Sequence, residues 1–154
     1  MNSVGLDQNK SEELVGKLNQ LLSNFQIQYQ NLRGLHWNIR GRNFFELHVK
    51  FEEFYLDAQE KIDMIAERIL TLDGVPLHTF EAYMREASIP VGQGVHQGEE
   101  AVDLVLVGLK ELLLKEREIL ELSGEADDEG TNSMMSDFIG EQEKIIWMLK
   151  AWRA

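Results

Sequence analysis

The sequence predicts an all-α fold: four long helices in a bundle, with a long crossover between the second and third that carries a short extra helix. Three observations point there. Apolar residues recur every three or four positions along almost the whole chain, the spacing of one helical face. No segment shows the strict alternation of a half-buried strand. Only 2 prolines interrupt 154 residues, and 44% of those residues are hydrophobic, in keeping with one core in one domain, 1–154, preceded by a short tail, 1–10.

The first helix is expected from about Ser11 to Trp37, where Leu14, Leu18, Leu21, Phe25, Tyr29, Leu32 and His36 form a single ridge. Gly41 ends it, and Asn43 with Glu46 offers a capping box for the next helix. Phe44, Leu47, Phe51, Tyr55, Ala58, Ile62, Ile65 and Ile69 then give the second helix its core face, up to Gly74-Val75-Pro76. A short amphipathic piece, Thr79 to Ala87, lies in a connection that ends at Pro90 and three glycines. The third long helix is expected from about Glu99 to Leu122, with Val102, Val105, Leu106, Leu109, Leu112, Leu113, Ile119 and Leu120 inward. Gly124 to Gly130 reads as an acidic loop. The last helix, about Asn132 to Trp152, buries Phe138, Ile145, Met148, Leu149 and Trp152. One long crossover in the middle makes the order up-down-down-up, the ferritin-like connectivity.

Composition removes several functions. There is no cysteine, which excludes disulfides, thiolate metal sites and thiol catalysis. Acidic residues outnumber basic ones 27 to 15, giving −12 at neutral pH, a charge that repels phosphate backbones and attracts metal cations. No apolar run reaches the ~18 residues of a membrane span. The first twenty residues lack the apolar middle of a secretory signal, so a cytoplasmic location is expected.

Metal chemistry is the reading left to test. A di-iron site inside one bundle uses Glu-x-x-His on two helices. Here the residues three before His36, His48, His78 and His96 are Arg33, Phe45, Val75 and Gln93, so that motif is absent. His78 and His96 lie in connections and receive no role. The second helix offers a different arrangement. With His48 at 0°, Glu52 falls near ~40°, Asp63 near ~60° and Glu67 near ~100°, beside an apolar stripe at roughly 260–340°. Leu56, near ~80° on the same wheel, puts an apolar residue in the middle of that polar face, as expected if another subunit covers it. His48 and Asp63 stand about 22 Å apart along one helix, too far to share an ion. In two copies packed antiparallel about a two-fold axis, the His48/Glu52 pair of one meets the Asp63/Glu67 pair of the other, and two equivalent sites result. His36, at the end of the first helix, reaches the same place. Imidazoles with carboxylates form a mixed N/O set suited to iron. Taken singly, His36 also reads as a satisfied core histidine, and Asp63 with Glu67 as a solvated acidic face beside Lys61 and Arg68.

The run LHWNIRGRNFFELHVKFEEFYLDAQEKIDMIAERIL resembles the Dps miniferritins, the stress-induced iron-oxidising branch of the ferritin-like superfamily. The matching elements are His36-Trp37, Gly41, Phe44, Leu47-His48, Phe51-Glu52, Tyr55, Asp63 and Ala66-Glu67-Arg68, and the IWMLKAW ending fits as well. The resemblance implies a homo-oligomeric shell of twelve subunits with ferroxidase centres at its two-fold interfaces. In that frame His36, His48 and Glu52 of one subunit face Asp63 and Glu67 of its partner. Together they bind Fe²⁺, which an oxidant, hydrogen peroxide on the resemblance, converts to stored Fe³⁺. Trp37 adjoins the centre as an electron donor or radical trap, or as an aromatic packed at the dimer seam. Glu125, Asp127, Asp128, Glu129 and Asp137 resemble the lining of an iron-uptake pore at three-fold axes, and read equally as a solvated loop with helix N-terminal carboxylates. Relatives that coat DNA do so through a Lys/Arg-rich tail. MNSVGLDQNK has one lysine against one aspartate, so direct DNA binding is disfavoured, and a DNA-protecting dodecamer with incidental metal binding stands as the alternative. Arg33, Arg40 and Arg42 make a small basic patch suited to subunit contacts.

Overall fold

The computed structural model describes residues 1–154, and it is all helix and connection, with no strand. Helix α1 spans Gln8–Asn38, α2 Phe44–Thr71, α3 Phe80–Glu86, α4 Gly98–Glu125 and α5 Glu129–Arg153. The chain adopts the expected ferritin-like bundle. The hairpins α1–α2 and α4–α5 pack against each other through α1 and α4, and α3 lies on α1. No helix is long and apolar enough to cross a membrane.

Local chemistry sets the helix ends. Asp7 caps α1 by accepting from the Lys10 N–H, Thr79 caps α3 through the Ala82 N–H, and Asp128 caps α5 through the Thr131 N–H. The capping box expected at α2 does not form: Asn43 precedes the helix, but its side chain makes no cap bond. Gly41, at φ +107°, makes the turn out of α1 instead.

The expected acidic loop is shorter than the sequence suggests. Gly124 and Glu125 complete α4, and Glu129 and Gly130 begin α5, leaving Ala126–Asp128 as the connection. Asp127 takes a left-handed conformation, φ +56°, and Asn132 Nδ2 donates to the Leu120 carbonyl across the turn, so three residues suffice.

Twenty-six buried apolar residues form one core cluster, with Leu18, Leu21, Phe51, Ile65, Ile69, Val102, Leu112, Ile119, Met135 and Phe138 among the most enclosed. Each such side chain stabilises the fold by about 1.5–3 kcal/mol relative to exposure. Met148, expected inside, is 39% exposed.

Asparagines of α1 guide the crossover. Asn19 exchanges hydrogen bonds with Val75 and Leu77, Asn24 Oδ1 accepts from the Ser88 and Ile89 N–H groups, and Asn31 pairs with Pro90 and Gly92. The crossover therefore runs parallel to α1 and delivers α4 in the same direction as α2. The N-terminal residues are also engaged. Asn2 is buried, its side chain accepts from the Val4 and Leu6 N–H groups, and the Ser3 N–H donates to Asp73 Oδ2 at 2.6 Å.

Candidate metal centre

The end of α1 and the start of α2 bring two imidazoles face to face. The His36 and His48 rings stack with centroids 3.8 Å apart and planes 12° from parallel. Each ring bonds the other residue's backbone. His36 Nδ1 donates to the His48 carbonyl at 2.6 Å, and His48 Nδ1 donates to the His36 carbonyl at 2.7 Å. A carbonyl only accepts, so both protons sit on Nδ1 and both Nε2 lone pairs stay free for a metal. The His36 carbonyl is available because α1 stops two residues later. Arg40 N–H, which would bond it in a longer helix, donates to the His96 carbonyl instead.

Aromatic rings enclose this pair. Phe44 stacks on His48 at 4.9 Å, and Tyr55 meets His36 edge-on at 5.5 Å. Tyr55 Oη also donates weakly to Glu52 Oε1 at 3.4 Å. Loss of solvent around Tyr55, and then the Glu52 charge, push its phenol above the ordinary tyrosine range. His36 is buried, His48 half-buried and Glu52 exposed.

Asp63 and Glu67 lie on the exposed side of α2, farther along the helix. A hydrogen bond with Asp63, together with the charge of that neighbour, raises the Glu67 carboxyl above its usual range. The fifteen-residue helical separation from His48 persists. Within one subunit, no three His, Asp or Glu side chains come together as a metal site. Apolar Val49, Leu56 and Met64 are exposed on the same helix at 52%, 53% and 42%.

Trp37 is 56% exposed, and the Arg33 guanidinium lies 5.0 Å from its ring and 5.2 Å from that of Tyr29. Arg33 is thus held by aromatic faces.

The acidic residues near the α4–α5 turn divide. Glu125, Asp127, Glu129 and Asp137 are exposed. Asp128 is not available to line a pore: it is 1% exposed, accepts from Arg68 Nη2 at 2.6 Å and from Thr131 Oγ1 at 2.6 Å, and caps its own helix. The cations expected beside a solvated acidic face are also drawn inward. Arg68 goes to Asp128, and Lys61, 3% exposed, bonds both Asp57 oxygens at 2.8 Å and Glu141 Oε2 at 2.6 Å.

Comparison with known proteins agrees with the fold. A family model described as the ferritin-like domain matches residues 15–154. A Dps protein from Vibrio cholerae O1, described as a member of a broad superfamily of ferritin-like diiron-carboxylate proteins, superposes with TM-score 0.99 at 50% identity, covering 100% of this chain and 97% of that one. A Bacillus brevis Dps structure gives TM-score 0.92 at 36% identity over 95% of this chain and 98% of its own. A DNA protection during starvation protein from Porphyromonas gingivalis is 41% identical over 149 residues, 97% of this chain and 94% of its own.

Proposed function

Because this chain belongs to the ferritin-like domain family, with Dps proteins as relatives along nearly its whole length, we propose that it is the subunit of a dodecameric ferroxidase and iron store. Its reaction centres are shared across two-fold dimer interfaces. The observation that carries this reading is the reciprocal histidine lock: two imidazoles fixed through Nδ1, with free Nε2 atoms, at an exposed apolar face that lacks the remaining ligands. Antiparallel pairing through α2 supplies those ligands. His36, His48 and Glu52 of one subunit then face Asp63 and Glu67 of the other, and Leu56 is covered in the seam.

Iron is the substrate. Two Fe²⁺ ions bind at each centre, and each gives one electron to a single hydrogen peroxide. With two protons the peroxide becomes two waters, so no hydroxyl radical leaves the site. Neutral imidazoles and carboxylates suit Fe²⁺, and the added carboxylate charge favours Fe³⁺ as product. The product hydrolyses to a mineral within a shell whose subunits each carry −12, and cells gain protection from oxidative stress. Glu125, Asp127, Glu129 and Asp137 are the acidic residues left to attract Fe²⁺ at a three-fold pore. In this reading Trp37, beneath Arg33, donates an electron when oxidant exceeds iron. DNA coating is not part of this reading, since the N-terminal residues are bonded to the bundle and the charge is strongly acidic.

The test is anaerobic Fe²⁺ loading followed by stopped-flow absorbance on adding peroxide or, separately, air. Wild-type protein oxidises iron rapidly with peroxide and keeps it soluble. His36→Ala and Asp63→Ala each slow oxidation at least about tenfold, with helicity and assembly unchanged. A double variant that oxidises iron at the wild-type rate overturns the site.

A further inference from the structure

Deep in the bundle, away from the histidine face, lies a polar pair with an unfinished hydrogen-bond inventory. Glu116 of α4 is fully buried and Gln142 of α5 is 2% exposed. Gln142 Nε2 donates to Glu116 Oε2 at 2.7 Å. The other polar atom of each side chain, Glu116 Oε1 and Gln142 Oε1, is also buried and has no hydrogen-bond partner. Two acceptors cannot satisfy each other, and a buried orphan oxygen is costly. A single proton resolves both. Carried on Glu116 Oε1 and donated to Gln142 Oε1, it would close a ring of two antiparallel hydrogen bonds, the pairing of a carboxylic acid with a primary amide.

We propose that Glu116 is held as the neutral acid at physiological pH, locked to Gln142 in a reciprocal acid–amide pair, and that its ionisation is an alkaline-sensitive switch in the stability of the bundle.

The charges around Glu116 fit this. The cation nearest from α2, Lys61, is already engaged by Asp57 and Glu141 and lies 5.2 Å from the Phe138 ring centroid. Arg117, next on α4, pairs at the surface with Glu143 of α5 at 2.8 Å. Lys17 of α1 pairs outside with Glu118 at 2.8 Å. Glu141 brings a further negative charge. Both cations whose fields reach Glu116, Lys61 and Arg117, are thus already paired, and burial pushes its carboxyl up to about 8 against those fields and the hydrogen bond from Gln142.

The sign follows from proton binding. The unfolded carboxyl releases its proton near 4.5, whereas the folded one keeps it until about 8. Between those values the folded state binds the extra proton, so stability falls as pH rises and levels off above about 8. From pH 6 to pH 9.5 this one group lowers the folding equilibrium constant about a hundredfold.

The test is urea denaturation of the assembled protein, at fixed protein concentration, at pH 6 and 9.5, for wild type and Glu116→Gln. The amide of Glu116→Gln keeps both antiparallel bonds but does not titrate, so the variant lacks the hundredfold loss and overtakes wild type at alkaline pH. Equal pH dependence in the two proteins overturns the proposal. Should the variant fail to assemble, infrared spectra of wild type labelled at glutamate decide. A protonated-carboxyl carbonyl band present at pH 6 and lost by pH 9.5 supports the pair, and its absence at pH 6 refutes it.

Discussion

Replacing Asp128 by alanine removes one carboxylate that serves two helices. Its Oδ1 accepts from Arg68 Nη2 at 2.6 Å and from the Thr131 N–H at 3.0 Å, while Oδ2 accepts from Thr131 Oγ1 at 2.6 Å. Loss of the helix cap alone costs about 1 kcal/mol. Breaking a buried ion pair costs about 3–5 kcal/mol, because the remaining charge is stranded. The Arg68 side chain retains 18% exposure and a bond from Nε to Thr131 Oγ1, so water recovers part of that penalty. One carboxylate carries both effects, so they do not add, and the expected loss is about 2–4 kcal/mol. Urea denaturation at pH 7 reads it as a lower midpoint with an unchanged slope. Asp128→Asn keeps a cap acceptor and loses less. Where both variants are folded, iron uptake into the shell proceeds at the wild-type rate. A loss below about 1 kcal/mol for alanine, or slowed uptake in a fully stable Asp128→Asn protein, would refute this account and return Asp128 to the pore.

Two further outcomes follow from packing. Leu56→Glu places a charge in the proposed two-fold seam, where Leu56 is 53% exposed in the lone subunit. Light scattering should show smaller species that keep full helicity, and iron oxidation should fall because the centres lose their second half. Gly108 on α4 faces Gln28, and a Cβ there would lie 2.5 Å from Gln28 Cδ. Gly108→Ala should therefore destabilise the protein by about 1–2 kcal/mol net of the helix-propensity gain, measured as a urea midpoint shift.

The fold was legible because its information is periodic. A 3.6-residue apolar repeat and one long connection suffice to specify four helices and their order. Helix ends were less so. Gly124, Gly130 and the acids between them look like a loop, yet helices close over them because Asp128 and Asn132 satisfy the turn from within. The exposed position of Asp63 and Glu67 on α2 was legible, since wheel angles do not depend on neighbours. The histidine lock was not, because it needs the His36 carbonyl to be left without a helical donor, which depends on where Arg40 sends its N–H. Lys61, Arg68 and Asp128 read as surface charges, because what draws them inward is on distant helices. Glu116 did carry a signal. It falls between Leu112, Leu113 and Ile119 at core spacing, a polar residue in an apolar phase of the helix.

The asparagines that bind the crossover to α1 also shape how the chain finds its fold. Their partners are 56 to 65 residues away in sequence, spanning the whole of α2. Closing loops of that size from an open chain is entropically expensive, but the cost grows only slowly with length and falls sharply once the intervening chain has doubled back. An α1–α2 hairpin, whose contacts are nearer in sequence, brings Asn19 toward Val75 before any crossover bond exists. Pairing at Asn19 then shortens the loops left to close at Asn24 and Asn31. By the time Gly92 is bound, α4 starts at a fixed point beside α1, and the second hairpin has one place to dock. The long connection thus acts as a track laid along the first helix, which reduces a four-helix assembly problem to two successive hairpins.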